Sequence, residues 1–217
     1  MIVILSDFDG TITKEDSLYN FFDKYADEKW LEVEKRWKDG LINSKECLIE
    51  EFELVKNLNE KMIDKYTDAI EIDDCFVEFY NFIKKENIEF YVVSDGVDYF
   101  INRILEKNNI KGINLITNHA EFINGKFTLS FPNSNKLCEV NSGTCKCKAL
   151  RELKKKFNTI YYIGDGNSDF CVAGKADFLF AKSALMEYCK EKNINHKPFK
   201  TFKDVLDCIS PRQSRVC

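Results

Sequence analysis

The residues of this chain best suited to chemistry are two carboxylates, spaced two apart at the end of an apolar run. Ile2-Val3-Ile4-Leu5-Ser6 leads straight into Asp7-Phe8-Asp9-Gly10-Thr11. On extended backbone residues i and i+2 point the same way, so Asp7 and Asp9 project together while Phe8 turns into the core. Gly10 lets the backbone curl tightly and leaves amide N–H groups to face an anion. A strand followed by an ordinary acidic turn accounts for the same residues.

A second acidic group, Gly164-Asp165-Gly166-Asn167-Ser168-Asp169, follows another apolar run. Two like charges about 4 Å apart repel by roughly 4 kcal/mol at an effective dielectric of about 20. If both groups share one cleft, a cation must sit among them. Hard oxygen ligands, with no histidine near them in sequence, favour Mg²⁺ over zinc. Ser94 precedes Asp95-Gly96 and offers a phosphate oxygen a hydroxyl and a glycine amide, or else caps a helix. Lys146 opens a predicted helix and could reach the same crevice, although a lone lysine is ordinarily solvated.

Elements must bring these groups together. Short apolar runs at 2–5, 89–93, 159–163 and 178–180 read as buried strands. Phe76, Phe79, Tyr80 and Ile83 recur at i, i+3, i+4 and i+7, one face of a helix, and further helices are predicted at 98–107, 146–156 and 183–191. Strands alternating with helices predict an α/β fold, a Rossmann-like, doubly wound parallel sheet covered on both faces. Ligands bind such sheets outside the carboxyl ends of the strands, where both acidic groups would fall. Phe122-Ile123-Asn124-Gly125-Lys126-Phe127 reads as a small antiparallel flap with a two-residue turn. From Thr13 to Ser94, about 80 residues hold helix-forming sequence and no good strand, too many for a loop. A helical cap domain at 14–73, inserted after the first strand of a core made of 1–13 and 74–217, accounts for them, with hinges near Lys14 and Asp73.

The pattern hhhhDxDGT…hhhS…K…hhhGDxxxD, which runs from Asp7 to Asp169, resembles that of the haloacid dehalogenase superfamily of phosphatases. The resemblance implies that Asp7 attacks the phosphorus of a small phosphate ester and becomes an aspartyl-phosphate. It implies that Asp9 protonates the leaving alkoxide and then activates water; Asp9 also favours phosphate esters, since dehalogenase members lack that residue. By the same resemblance Asp7, the main-chain carbonyl of Asp9 and Asp165 hold Mg²⁺, with Asp169 as ligand or support. Ser94, Asp95, Gly96, Lys146, Gly10 and Thr11 hold phosphate. The insertion point of the cap is similar to the branch that includes phosphoserine phosphatase. Val93-Ser94-Asp95-Gly96-Val97-Asp98, the Cys145-Lys146 pair and Gly164-Asp165-Gly166-Asn167-Ser168-Asp169-Phe170-Cys171 look closer to methylthiopentenyl phosphate and phosphocholine/phosphoethanolamine phosphatases. Serine-using members carry an arginine just before a cap glycine, whereas here Gly40 follows Asp39, with Arg36 near. Arg36 and Asp16 are therefore the cap candidates for substrate contact, and Asp16 could equally be a helix N-cap. A phosphoserine phosphatase, or a phosphotransferase or mutase on the same fold, is the alternative.

Composition excludes other classes. The 217 residues are 44% hydrophobic and 31% charged with a net charge of −4, and no Lys/Arg run is interleaved with aromatics, so nucleic acid is not an expected partner. Lys154-Lys155-Lys156 reads as a solvated helix face. No apolar stretch reaches the roughly 20 residues of a membrane span, and the apolar start lacks the basic flank of a signal peptide, so a cytoplasmic protein with no membrane partner is expected. The nine cysteines are expected to be reduced, with Cys75, Cys171 and Cys189 packing as small hydrophobes. Cys138, Cys145 and Cys147 are the candidates for zinc, but they lack a fourth ligand and CxxC spacing. The tail from 210 onward is polar and expected to fray, and nothing in the sequence speaks to oligomeric state.

Overall fold

Alternation along β1 (Ile2–Ser6) sends Ile4 to one face of a sheet and Val3 and Leu5 to the other, and all three are buried. The computed structural model describes residues 1–138 and 141–210; the tail expected to fray lies, from 211 on, outside them. β1 is flanked in parallel by β2 (Glu89–Val97) and β5 (Thr159–Gly164). With β3 (Asn114–Ile123), β4 (Lys126–Ser130), β6 (Phe178–Ala181) and β7 (Lys197–Pro198) they make one sheet in the order β4-β3-β2-β1-β5-β6-β7. Every pairing is parallel except β3 with β4, whose turn at Asn124 and Gly125 takes φ of 51° and 77°, the left-handed pair that the Asn-Gly sequence favours. From β1 the chain builds outward in one direction and then in the other, so the doubly wound expectation holds and β1 lies at the switch point.

Both faces are covered. Helices α5 (Phe76–Lys85), α6 (Asp98–Lys107) and α9 (Phe202–Ile209) pack on the Ile4 side, while α7 (Lys146–Lys154) and α8 (Ser183–Glu191) pack on the Val3 and Leu5 side. Strands buried on both faces must be apolar throughout, which is why β1 and β5 stand out in the sequence.

Between β1 and α5 run four helices, α1 (Ser17–Tyr25), α2 (Trp30–Lys38), α3 (Ser44–Glu53) and α4 (Glu60–Thr67). Asp16, Asn43 and Asn59 cap three of them by accepting backbone N–H groups. Gly40, at φ +72°, ends α2. Their shared core is aromatic: the Phe21 ring lies 4.9 Å from Phe100, 5.1 Å from Tyr66 and 6.2 Å from Phe52. Phe52 in turn meets Phe127 at 4.8 Å, so the β3–β4 hairpin packs against these helices. The two chain crossings into the helical stretch are stitched together by a Thr13–Ile72 bridge, by Lys14 N–H to Glu71 O at 3.0 Å and by Asp73 N–H to Ile12 O at 2.8 Å.

Some elements depart from the sequence expectation. The parallel half of β3, β7 and α9 were not predicted, and the helix at Lys146 stops at Lys154 rather than 156. β2 continues past Ser94 to Val97, with a break in register against β3 between Val93 and Val97. Among the described residues no helix is long and apolar enough to cross a membrane.

Phe100, 1% exposed on α6, joins the four helices to the sheet. Phe100→Ala is expected to cost about 3–5 kcal/mol, read as a lowered urea midpoint with an unchanged slope.

Candidate active site

Asp7 leaves the end of β1 between the ends of β2 and β5, its N–H donating to Ile163 O at 2.9 Å. Phe8, fully buried, turns the other way, as the alternation requires. The Oδ1 of Asp7 accepts Phe8 N–H at 2.8 Å, and its Oδ2 lies 2.7 Å from Lys146 Nζ and 3.4 Å from Ser168 Oγ. Lys146 is the first residue of α7, its side chain 2% exposed, and its ammonium also reaches Asp169 Oδ1 at 2.6 Å and Ser168 Oγ at 2.8 Å. The lysine is thus in the crevice and not in solvent.

Asp9 stands beside this pair. Its Oδ1 accepts Ser17 N–H at 2.9 Å and Ser17 Oγ–H at 2.5 Å. Its Oδ2 and Ser94 Oγ both crowd Gly96: a Cβ there would meet them at 2.9 and 3.1 Å. Glycine at 96 is therefore what lets the acid, the hydroxyl and the loop close on one another. Ser94 Oγ accepts Gly96 N–H at 2.9 Å, which leaves its own proton to donate.

The loop geometry bears on two expectations. Gly10 does adopt φ +67°, but its N–H turns to Thr13 Oγ1 and Glu15 O, and the N–H groups of Thr11, Ile12 and Thr13 all donate to Phe8 O. Those amides close a turn and do not face an anion. The Thr11 hydroxyl donates to Asp165 Oδ1 at 2.6 Å, and a Cβ on Gly10 would lie 2.6 Å from Asp165 Oδ2, so this loop cradles a carboxylate. The Asp95 side chain is engaged within the protein as well. Its Oδ1 accepts Thr144 N–H at 2.7 Å and Asn118 Nδ2–H at 3.1 Å, which ties the loop after Ser94 to the chain entering α7.

Burial, and after it like charge, dominates the electrostatics. Burial first, and then Asp169, push the Asp7 carboxyl up against the opposing pull of Lys146. Burial and Asp16 push Asp9 up to about 7 despite the Ser17 hydrogen bonds, and burial raises Asp165 as well. Burial opposes the charge on Lys146, yet Asp169 and Asp7 outweigh it and keep the ammonium charged. One oxygen each from Asp7, Asp165 and Asp169 lie within 4.8 Å of one another. Carboxylates held this close and this dry fit a hard divalent cation. Asp169 has the least to give it: Oδ1 already accepts from Lys146 and Tyr162, and Oδ2 from the N–H groups of Asp165 and Gly166.

The site opens into a cleft of about 300 Å³ whose near wall is Asp7, Asp9, Ser94, Asp95, Gly96 and Asp165. The far wall belongs to α1, α2 and α3 and carries Asp16, Glu34 and Glu51 among Tyr19, Trp30 and Trp37. Asp16 serves both uses open to it, lining the cleft and capping α1 through Leu18 and Tyr19 N–H. Arg36 does not reach the cleft; its guanidinium pairs with Glu50 at 2.7 Å on the surface. Glu34, Cys47 and Glu51 also bring ligand atoms within 4.8 Å, whereas Cys138, Cys145 and Cys147 form no such group among the described residues. Ser17, Tyr162, Ser168, Glu34 and Glu51 were not singled out from sequence. Ser168 lies inside the second acidic motif and could have been; the others depend on tertiary contacts.

Residues 2–206 match the family model described as "Putative Phosphatase". A 2-hydroxy-3-keto-5-methylthiopentenyl-1-phosphate phosphatase of Bacillus thuringiensis (strain Al Hakam) is 33% identical over 206 residues, 94% of each chain, and its Bacillus anthracis counterpart gives the same figures. Among solved structures, a phosphoserine phosphohydrolase-like protein from Francisella tularensis matches with a TM-score of 0.69 at 19% identity, over 97% of this chain and 100% of that one. A phospho-aspartyl intermediate analogue of phosphoserine phosphatase matches with 0.68 at 21% identity, over 96% and 98%. These two structures share the fold.

Lys146 is the cation that offsets Asp7 and Asp169. Lys146→Met is expected to cost about 3–5 kcal/mol of stability, measured by urea unfolding, with part of the loss recovered on adding millimolar divalent cation.

Proposed function

The chain belongs to this phosphatase family, a branch of the haloacid dehalogenase superfamily, and from that premise we propose a Mg²⁺-dependent phosphomonoester hydrolase that works through Asp7. The observation that carries the reading is the convergence of Asp7, Asp9, Ser94, Lys146 and Asp165 on one end of a single cleft. Asp7 attacks phosphorus through Oδ2; the new O–P bond forms as the bond to the leaving alkoxide breaks. Asp9, pushed up to about 7, is present with and without its proton at neutral pH, and the protonated form passes the proton to that alkoxide. It then takes a proton from the water that cleaves the acyl phosphate, which returns Asp7 and releases phosphate. Ser94 and Lys146 hold the phosphoryl oxygens. Asp7, the Asp9 carbonyl and Asp165 would hold Mg²⁺, which when bound offsets the phosphoryl charge, while Asp169 supports Asp165 and Lys146. Residues 14–73 act as a cap that moves on the paired crossings near Lys14 and Asp73. A reducing, cytoplasmic setting suits a chain with nine cysteines.

The far wall narrows the substrate. Glu51 is 5% exposed and Glu34, whose Oε1 pairs with Lys38 Nζ at 2.9 Å, has a side chain 13% exposed, so both acids line the cleft with little water. Tyr19 and Trp30 meet edge to face at 4.9 Å beside them, and Lys38 Nζ already lies over Tyr19 at 5.7 Å. Acids among aromatic faces favour a cation. We therefore favour a phosphomonoester whose leaving group ends in an ammonium, of the phosphocholine type. The second reading is a methylthiopentenyl phosphate, favoured by the activity for which the Bacillus relatives are named and by the affinity of thioethers for aromatic walls. Phosphoserine is less supported, because Arg36 is engaged with Glu50 outside the cleft.

Asp7→Asn is expected to lower the hydrolysis of p-nitrophenyl phosphate by about 10³-fold or more. Chelation should abolish that activity and Mg²⁺ restore it; a wild type inert toward a broad panel of phosphate esters in Mg²⁺ would overturn the reading. Choline phosphate should exceed its neutral isostere, 3,3-dimethylbutyl phosphate, by about tenfold in kcat/KM. Burial and Glu34 push Glu51 up to about 8, so its charge, and with it that preference, should grow as pH rises from 7 to 9. Glu51→Gln should flatten the preference and its pH dependence. A carboxyl raised on folding loses its contribution to stability as pH rises through its folded value, so the same variant should gain about 3 °C in Tm at pH 9. Equal turnover of the charged and neutral esters would favour the thioether reading.

A further inference from the structure

Tyr162 lies on β5 two residues before Gly164, fully buried against the α7 and α8 side of the sheet. It is among the largest side chains with no exposure at all. A phenol so placed must give its proton to a partner, and the partner is Asp169 Oδ1 at 2.5 Å. That oxygen is the one Lys146 also contacts, at 2.6 Å. The other oxygen of Asp169 is engaged by two backbone N–H groups. Lys146 in turn has three donors and three acceptors: Asp7 Oδ2, Asp169 Oδ1 and Ser168 Oγ. The ammonium is therefore shared between the carboxylate beside the reacting phosphorus and a fully buried one behind it.

How it is shared depends on how much of the Asp169 charge is met from elsewhere. A phenol hydroxyl on Oδ1 withdraws part of that charge, and Lys146 is held toward Asp7 to a corresponding extent. Without the hydroxyl, Oδ1 would rely on Lys146 and draw the ammonium back, away from the phosphoryl oxygens it is placed to meet. Burial, then Asp169 and Asp7, raise the phenol's ionisation far above its ordinary range, so it remains a donor. We propose that Tyr162 is a positioning residue for phosphoryl transfer, acting through Asp169 to aim the Lys146 ammonium at the reacting group. This rests on the reading of Asp7 as nucleophile.

Tyr162→Phe keeps the ring and opens no cavity. With p-nitrophenyl phosphate and Mg²⁺, kcat is expected to fall about tenfold while KM changes by less than about threefold. Tm is measured alongside. Tyr161→Phe serves as control, since the Tyr161 ring stacks on Phe178 at 4.6 Å on the opposite face and its loss of a hydroxyl should leave kcat unchanged. An unchanged kcat in Tyr162→Phe overturns the proposal alone. So does a loss of kcat that disappears when the variant is assayed well below a lowered Tm, since that marks a purely structural role. A wild type without phosphatase activity overturns this inference together with the reading it rests on.

Discussion

Buried like charge at the carboxyl end of β1 is the constraint to which the rest of the structure answers. Asp7, Asp165 and Asp169 converge there with one ammonium, Lys146, among them. Left to itself such a group would protonate or repel apart, because each carboxylate loses its hydration and gains a like-charged neighbour. Every nearby feature reduces that cost. Thr11 donates to Asp165, Phe8 N–H to Asp7, two amides and a phenol to Asp169, and Ser17 to Asp9. Asp7 and Asp165 still remain raised, and the deficit is what a divalent cation would make good.

The topology makes this concentration possible. With β1 at the switch point, the chain leaves the sheet at β1, β2 and β5 side by side, and each exit supplies one part of the site. A parallel sheet aligns those exits on one edge, which an antiparallel sheet would split between two. The loops are then bound to each other and not merely adjacent. Asp95 accepts Thr144 N–H, and Asn118 bonds to both Asp95 and Thr144, so the segment after Ser94 is tied to the start of α7, which carries Lys146.

Much of this was legible in the sequence because its causes are local or compositional. β1 and β5 are apolar on both faces, the acids at their ends have no better use on a strand, and Asn124-Gly125 dictates its own turn. The parallel half of β3 was not legible: Asn114-Leu115-Ile116-Thr117-Asn118 is polar at both ends and is a strand only because β2 pairs with it. α9 was legible in principle, since Phe202, Val205, Leu206 and Ile209 follow i, i+3, i+4 and i+7 behind a Thr201–Asp204 capping box. The use of the Gly10 turn could not be read, because a glycine at positive φ permits an anion nest and a closed turn alike, and only the contact with Asp165 decides between them. Tyr162 and Glu51 were invisible for the same reason: each acts through a partner distant in the chain or on a neighbouring turn.

The far wall obeys a different logic from the near one. Near-wall groups come from strand ends fixed by the sheet, so a displaced Asp7 or Asp165 would have to strain β1 or β5. Far-wall groups come from α1, α2 and α3, whose core of Phe21, Phe22 and Phe52 forms a third cluster that meets the sheet layer through Val97, Phe100 and Ala120. Side chains on the cleft face of those helices can change without touching a strand, and the paired crossings near Thr13 and Ile72 join the helical stretch to the sheet. The residues that form the two walls are thereby anchored in different clusters.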